Sequence, residues 1–386
     1  MKMESAKTNV LILVDWFTPG FRAGGPIRSV SNLVKTLQNE FNFYIVTSNR
    51  DLGAEEPYNV EFDKWLKCEN YLVYYATSPP SRKLLESTIA MKRIDLIYFN
   101  SMFSSSFTIR PLRMLRNWKS CPQMVIAPRG MLSPQALKIK SSKKKMFLLI
   151  AKTFGWYSNV RWHSTSPEET KNIKAEFKPK MIVEARNLGW LPNQVIDATK
   201  KQTNVIRLLT ISRIAPIKNL HVVFEILGRI PSDMRIQYSH IGPIEDAAYW
   251  ERCLSLMERC GPNIEFEYAG EKSHEEISTY FLRSQLLLLL SESENFGHVV
   301  LEAFAHGLPC IVSDGTPWRH LEDKMIGFDL SSKDLNGLTE KLSYICKMSA
   351  EEFGIWSNSA RSFAEQCILN DENLINYKKV FSIEKN

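Results

Sequence analysis

Short apolar runs rich in β-branched and aromatic residues recur along the chain, and each is followed by a stretch with helical periodicity. That alternation constrains the fold more than any other feature. A strand, a helix crossing back over the sheet and the next strand make a βαβ unit, and such units build parallel sheets covered by helices. The expected strands are residues 10–14, 43–47, 71–75, 96–99, 124–127, 160–163 and 181–183 in the first half, then 207–211, 235–240, 264–268, 286–290 and 310–312. The fold class expected is therefore α/β throughout. The first helix is the clearest, because Ile27, Val30, Val34 and Leu37 share one face after the turn Gly24-Gly25-Pro26.

From residue 184 to 203 the pattern lapses into a polar stretch containing Asn, Gly, Pro and Lys before a new strand begins, which marks an interdomain linker. A chain of 386 residues accommodates two domains of roughly 100–200 residues each. The expected division is 1–190, 191–360 and a helical tail 361–386. No period of 20–50 residues repeats, so the two halves are similar folds in tandem and not a solenoid. The longest apolar stretches, 146–151 and 286–290, fall far short of the roughly 20 residues of a membrane-spanning helix. Lys2 and Lys7 precede the apolar run 10–14, but that run is shorter than a signal-peptide core and ends at Asp15 without a small-residue cleavage site. Seven cysteines without a CxxC pair fit a reducing, cytoplasmic setting. The net charge of +7 favours anionic partners such as phosphates, nucleotides or an acidic lipid surface, and no nucleic-acid partner is expected.

The most informative stretch is residues 291–314. It follows strand 286–290 directly, so the loop 294–297 sits at a strand's carboxyl end and opens a helix near His298. Gly297 has no Cβ to obstruct a ligand, and the peptide N–H groups just after it can face a diphosphate. Glu302 follows Glu294 by eight positions, about two helical turns. Two carboxylates beside a phosphate site make sense where they bind hydroxyls, and a sugar and a ribose supply those. Taken alone, the pair reads equally as a dipole partner and a solvated helix residue. The flanking Phe-Gly and Ala-His-Gly-Leu-Pro favour the sugar reading.

Arg213 and Lys218 leave the carboxyl edge of the first strand of the second half, where they could meet the same phosphates; solvated loop residues are the other reading. The loop from Asp15 to Ser29 occupies the place of a dinucleotide fingerprint. GxGxxG is absent, which argues against NAD, and Gly24 and Gly25 instead let the loop approach a ligand. No Asp-x-Asp pair is present, and the sequence from His274 lacks the second histidine of HExxH. No metal and no cofactor are expected.

Together these residues resemble the retaining GT-B glycosyltransferases of family four, whose second domain carries a Glu-x7-Glu motif, here Glu294 and Glu302. The resemblance implies two Rossmann-like domains facing across a cleft, with a C-terminal helical tail returning to the first. It implies that Glu294 holds the donor sugar, that Glu302 holds the ribose, and that Arg213 and Lys218 neutralise the leaving diphosphate. The catalytic set is then Glu294, Arg213 and Lys218. The donor-binding set adds Gly24, Gly25, Phe296, Gly297, His298, Val299 and Glu302. The nearest members build bacterial surface polysaccharides, and share Gly-Gly-Pro-Ile-Arg-Ser and Pro-Arg-Gly-Met-Leu-Ser-Pro, here 25–29 with Gly24 and 128–134. Many members carry a first-domain histidine near the sugar where this chain reads Pro128-Arg129-Gly130. Arg129 and His163 are the residues expected on the acceptor side, a satisfied structural histidine being the other reading of His163. The implied reaction moves a hexosyl or N-acetylhexosaminyl group from a nucleotide diphosphate sugar, UDP favoured over GDP, to a lipid-linked or oligosaccharide acceptor.

A nucleotide-sugar-binding scaffold and another GT-B enzyme such as an epimerase or phosphorylase remain rival readings. The segment holding Lys138, Lys140, Lys143, Lys144, Lys145 and Lys152 reads in two ways: a contact with an anionic membrane at its inner face, or a solvated lysine face.

Overall fold

The computed structural model describes residues 7–118, 120–138 and 141–383. Lys2 and Lys140 lie outside the described residues. The chain separates into two compact units, Met1–Leu188 with Asn370–Asn386, and Gly189–Leu369.

The first unit runs β1 (Thr8–Leu13), α1 (Gly25–Leu37), β2 (Phe41–Ser48), β3 (Trp65–Cys68), β4 (Tyr71–Ala76), α2 (Arg82–Met91), β5 (Leu96–Phe99), α3 (Arg110–Leu115), β6 (Gln123–Ile126), α4 (Pro134–Lys138), α5 (Ser141–Thr153), β7 (Val160–Ser164), α6 (Pro167–Glu176) and β8 (Ile182–Glu184). Its eight-stranded sheet has the order β3-β4-β2-β1-β5-β6-β7-β8, parallel except where β3 pairs antiparallel with β4. Alternation along the strands divides the core in two. Val10, Ile12, Phe43, Ile45 and Tyr98 pack on one face with Val30, Leu33 and Val34 of α1. Leu11, Leu13, Val46, Ile97 and Phe99 pack on the other with Leu85 of α2, Leu112 of α3 and Leu148 of α5. Because both faces are covered, β5 is buried at every position and reads in sequence as an unbroken apolar run.

The second unit runs β9 (Val205–Ile211), α7 (Leu220–Leu227), β10 (Arg235–Ile241), α8 (Ala247–Met257), β11 (Ile264–Gly270), α9 (His274–Arg283), β12 (Leu286–Leu289), α10 (His298–Ala305), β13 (Cys310–Ser313), β14 (Gly327–Leu330), α11 (Leu335–Lys347) and α12 (Ala350–Ile368). Its six strands lie in the order β11-β10-β9-β12-β13-β14, all parallel. Two helix starts are fixed by reciprocal capping boxes, Ser273 with Glu276 for α9 and Ser349 with Glu352 for α12.

The last helix, α13 (Asp371–Val380), belongs to the first unit. Tyr377, Val380 and Phe381 enter the same core face as α1. Its final carbonyls have no intrahelical partner, and the fully buried Arg161 of β7 supplies one: Nη1 donates to the carbonyl oxygens of Lys379, Val380 and Ser382 at 3.1, 2.9 and 2.6 Å. A guanidinium inside β7 is thus a sequence-encoded socket for the C-terminal end of α13. Residues 350–368 form one uninterrupted helix, so position 360 falls inside α12 and the chain leaves the second unit only at 369.

Each sheet contains a point where the strand order reverses. In the first it lies between β1 and β5, and in the second between β9 and β12. Open α/β sheets bind ligands outside the carboxyl ends of the strands at such points. The loops after β1 and β5, and those after β9 and β12, are therefore where each unit's chemistry belongs.

Candidate functional site

In the second unit the loop after β9 ends in a short 3₁₀ turn, Pro216–Lys218, closed by Asn219 in the left-handed region at φ 51°. Asn219 is buried and its Nδ2 donates to the carbonyl of Leu290 at 2.9 Å, while the N–H of Glu292 donates to the carbonyl of Ile217 at 2.9 Å. These two bonds stitch the β9 loop to the β12 loop. The consequence is that Lys218 Nζ reaches Glu294 Oε1 in an ion pair whose side chains are only 14% and 18% exposed. Ser291 Oγ donates to the same oxygen at 2.9 Å. Behind the pair, the N–H of Glu294 donates to the carbonyl of Gly315 at 2.8 Å.

Helix α10 begins just after its N-cap Gly297, which sits at φ 72° and contributes no side-chain cap; the first turn carries no acidic residue. Its N-terminal peptide groups therefore keep the positive end of the helix turned to the loop rather than to a carboxylate of their own. The Phe296-Gly297 turn is held by Trp318, whose Nε1 donates to the carbonyl of Phe296 at 2.7 Å and whose ring packs on Phe296. A Cβ on Gly297 would come within 3.2 Å of that Nε1. On α10, Val300, Leu301, Ala303, Phe304 and Ala305 are buried, leaving His298, Val299 and Glu302 on the half-buried side. His298 and Glu302 are four apart and share that face. The structure thus brings Lys218, Glu294, Phe296, Gly297 and the start of α10 into one region at the switch point.

Arg213 is placed differently from Lys218. It is exposed and its Nη1 pairs with Glu245 of the loop after β10. That partner has no sequence signature. Ser291, Gly315 and Trp318 are further site residues that motif reading missed, because they act through tertiary contact.

In the first unit, Gly24 lies at φ 60° as the N-cap of α1 with no side-chain cap, and Gly24 and Gly25 are both exposed. The preceding turn is pinned by the buried Asp51, whose Oδ2 accepts from the N–H groups of Phe21 and Arg22 at 2.7 and 3.0 Å. Asp15, at the end of β1, accepts from Ser104 Oγ at 2.7 Å, and burial raises its carboxyl above the usual range.

Arg129 and His163 are brought together by Tyr98. Arg129 donates through Nη2 to the Tyr98 oxygen at 2.8 Å, through Nε to Asn100 Oδ1 at 2.9 Å and through Nη1 to Asn187 Oδ1. His163 Nε2 lies 2.9 Å from the carbonyl of Ala185, which can only accept, so Nε2 carries the proton and Nδ1 accepts from the Tyr98 hydroxyl at 2.8 Å. His163 and Tyr98 are both completely buried, so His163 offers no surface to a ligand in this conformation.

Burial, and then the Arg129 charge, push the His163 pKa down to about 3. Between about 3 and the unfolded value near 6.5 the unfolded chain binds the extra proton, so stability falls as pH drops through that window. The slope from this histidine grows toward that of one bound proton as pH falls below 6.5. His240 in the second unit, pushed down to about 4 by burial, adds to the same trend. Thermal melts between pH 6.5 and 5 should therefore fall less steeply for His163→Gln than for the parent chain. Parallel curves would show that His163 titrates alike in both states.

Among the described residues no group of three or more His, Cys, Asp or Glu side chains is arranged to hold a metal ion, and no helix is long and apolar enough to cross a membrane.

Comparison with known protein families matches residues 193–362 to the family described as Glycosyl transferases group 1. No curated protein matches the sequence. Among solved structures, Anabaena Alr3699/HepE in complex with UDP-glucose superposes with a TM-score of 0.66 at 14% identity, covering 96% of this chain and 99% of that one. Sucrose-phosphate synthase (tll1590) from Thermosynechococcus elongatus gives 0.70 at 15% identity, covering 97% and 99%. WaaG, a glycosyltransferase involved in lipopolysaccharide biosynthesis, gives 0.64 at 13% identity, covering 98% and 100%. At such identities the likeness establishes the fold. Residues 193–362 match the family Glycosyl transferases group 1, in a chain with the α/β fold of the GT-B glycosyltransferases, two Rossmann-like domains and a helical C-terminal region.

Proposed function

We propose that the protein is a retaining glycosyltransferase that moves a hexosyl or N-acetylhexosaminyl group from a UDP-sugar to a lipid-linked or oligosaccharide acceptor, on the cytoplasmic side of the membrane, in bacterial surface polysaccharide (O-antigen or capsule) synthesis. The observation that carries this reading is the Lys218–Glu294 pair beside the uncapped start of α10, at the sheet's switch point within the residues that match the group 1 family. The bound UDP-glucose of HepE supports a UDP donor, and the lipopolysaccharide role of WaaG supports the surface-glycan assignment.

In this mechanism Glu294 accepts hydrogen bonds from the donor sugar's hydroxyls and Glu302 from the ribose. Phe296, Gly297, His298 and Val299 bring the loop and the first N–H groups of α10 against the diphosphate. Arg213 and Lys218 stabilise charge where it develops, on the departing phosphate oxygen. The bond from the anomeric carbon to that oxygen breaks, the acceptor oxygen bonds to the same face, and the acceptor proton passes to the leaving phosphate. No protein nucleophile, metal or other cofactor enters.

Thermal stabilisation by a panel of UDP-, GDP- and dTDP-sugars tests the donor. The UDP-sugar that raises the melting temperature most should also support transfer, with the anomeric configuration retained by NMR and the rate unchanged by EDTA. Stabilisation by none of the panel would overturn the reading. An EDTA-sensitive rate restored by magnesium would overturn its metal-free step.

A further inference from the structure

The helix α5 is amphipathic twice over. One stripe anchors it: Leu148 and Ala151 are buried, and Phe147 packs between Phe103 and Trp156. The opposite stripe is apolar as well, yet open to solvent. Met146, Leu149 and Ile150 fall at helical spacing on that side, 63%, 66% and 38% exposed, and Phe154 just past the helix is 61% exposed. Single exposed apolar residues are ordinary, but three large ones on one helix with a fourth just past its end are not.

The structure also sorts the lysines. Lys144 is turned inward, its Nζ on the carbonyl of Ala136 and over the Phe103 ring. Lys152 pairs with Glu176. Lys143 and Lys145 are exposed and flank the apolar stripe without an acidic partner among the described residues. At the far end Arg113 lies over the Trp156 ring and Arg116 donates to the carbonyl of Phe154 at 2.9 Å, so further positive charge borders the stripe.

We propose that this face of α5 docks the protein on an anionic lipid surface, the helix lying in the plane of the interface with Met146, Leu149, Ile150 and Phe154 among the acyl chains and Lys143 and Lys145 at the headgroups. An apolar stripe edged by cations matches a surface that is apolar beneath a negatively charged layer. A second copy of this chain fits the face less well, because a twofold contact would bring the same lysines together. The proposal is independent of the transfer reaction.

Full-length protein is centrifuged with vesicles of phosphatidylethanolamine and phosphatidylglycerol, and with phosphatidylcholine alone. The parent should sediment with the anionic vesicles at low salt and be released as salt rises. Met146→Ser, Leu149→Ser and Phe154→Ser together should lower partitioning by about tenfold or more at low salt. Lys143→Gln with Lys145→Gln should lower it by roughly tenfold and flatten the salt dependence. Lys67→Gln with Lys83→Gln, exposed lysines elsewhere in the same unit, should bind as the parent does. All the substituted side chains are solvent-exposed, so melting temperatures should match, and the lysine variant remains decisive if the apolar one folds poorly. Failure of the parent to bind anionic vesicles, or equal binding by the parent and the variants of α5, overturns the proposal. So does a parent dimer that the serine variant dissociates without any vesicle binding, which would make the face an interface between copies.

Discussion

Replacing Glu294 with alanine is expected to lower transfer by about 10³-fold or more while the melting temperature stays close to that of the parent. The two halves of this expectation rest on different contacts. In the proposed mechanism activity depends on the carboxylate, whose Oε1 is shared by Lys218 Nζ and Ser291 Oγ and which would accept from the sugar hydroxyls. The loop's shape depends on main-chain bonds that alanine keeps, from the Glu294 N–H to Gly315 and from Trp318 Nε1 to the carbonyl of Phe296. Lys218→Ala should cost roughly 10²–10³-fold through lost charge stabilisation. Because the two groups hold one another, the double variant should fall short of the product of the single losses. Turnover by Glu294→Ala within tenfold of the parent would remove Glu294 from the chemistry, whatever its effect on stability.

The architecture was legible where burial is two-sided. A strand covered on both faces must be apolar throughout, and 96–99 and 286–290 announce themselves in that way; the chain's strand positions elsewhere agree to within a few residues. The edges were not legible. β3 has one neighbour only, and its residues are half-buried or exposed, so neither a continuous run nor a strict alternation appears. Its hairpin turn gives no glycine signal either, since Glu69 takes the positive φ of 40°. β14 is similarly brief, and Gly327 at its start is dictated by a close approach to Cys310 that no local pattern shows.

The site divides along the same line. Glu294, Gly297 and Lys218 were visible because a strand end, a helix start and a basic residue after a neighbouring strand are local features. Their convergence needed Asn219 and the Ile217–Glu292 bond, which are tertiary. Arg213 illustrates the reverse case: charge and spacing mark it, yet its direction here is set by Glu245 from another loop. His163 was open between an acceptor-side role and a structural one. Its surroundings are tertiary and invisible to local pattern: it is completely buried, with the Tyr98 hydroxyl and the Ala185 carbonyl meeting its two ring nitrogens.

Gly315→Ala should damage catalysis as much as many direct substitutions, although the residue carries no functional group. The loop after β13 runs so close to the β12 loop that a Cβ at Gly315 would fall inside van der Waals contact of the Ser291 carbonyl oxygen and the Glu292 carbonyl group. All of these are backbone atoms, which cannot rotate away as a side chain would. The two loops would have to separate by about 1 Å, and a displacement of that size at a reacting group costs on the order of 10²-fold in rate. The atoms displaced are those that aim Glu294, because Gly315 also accepts its N–H and Ser291 also donates to its carboxylate. The expected result is a drop in kcat/KM of about 10²-fold with weaker donor binding by calorimetry, and only a modest fall in melting temperature, since the core strands β12 and β13 keep their pairing. Parental kinetics in Gly315→Ala would mean that the β12 loop tolerates a shift of this size, and that Glu294 is aimed by something other than its contact with the loop after β13.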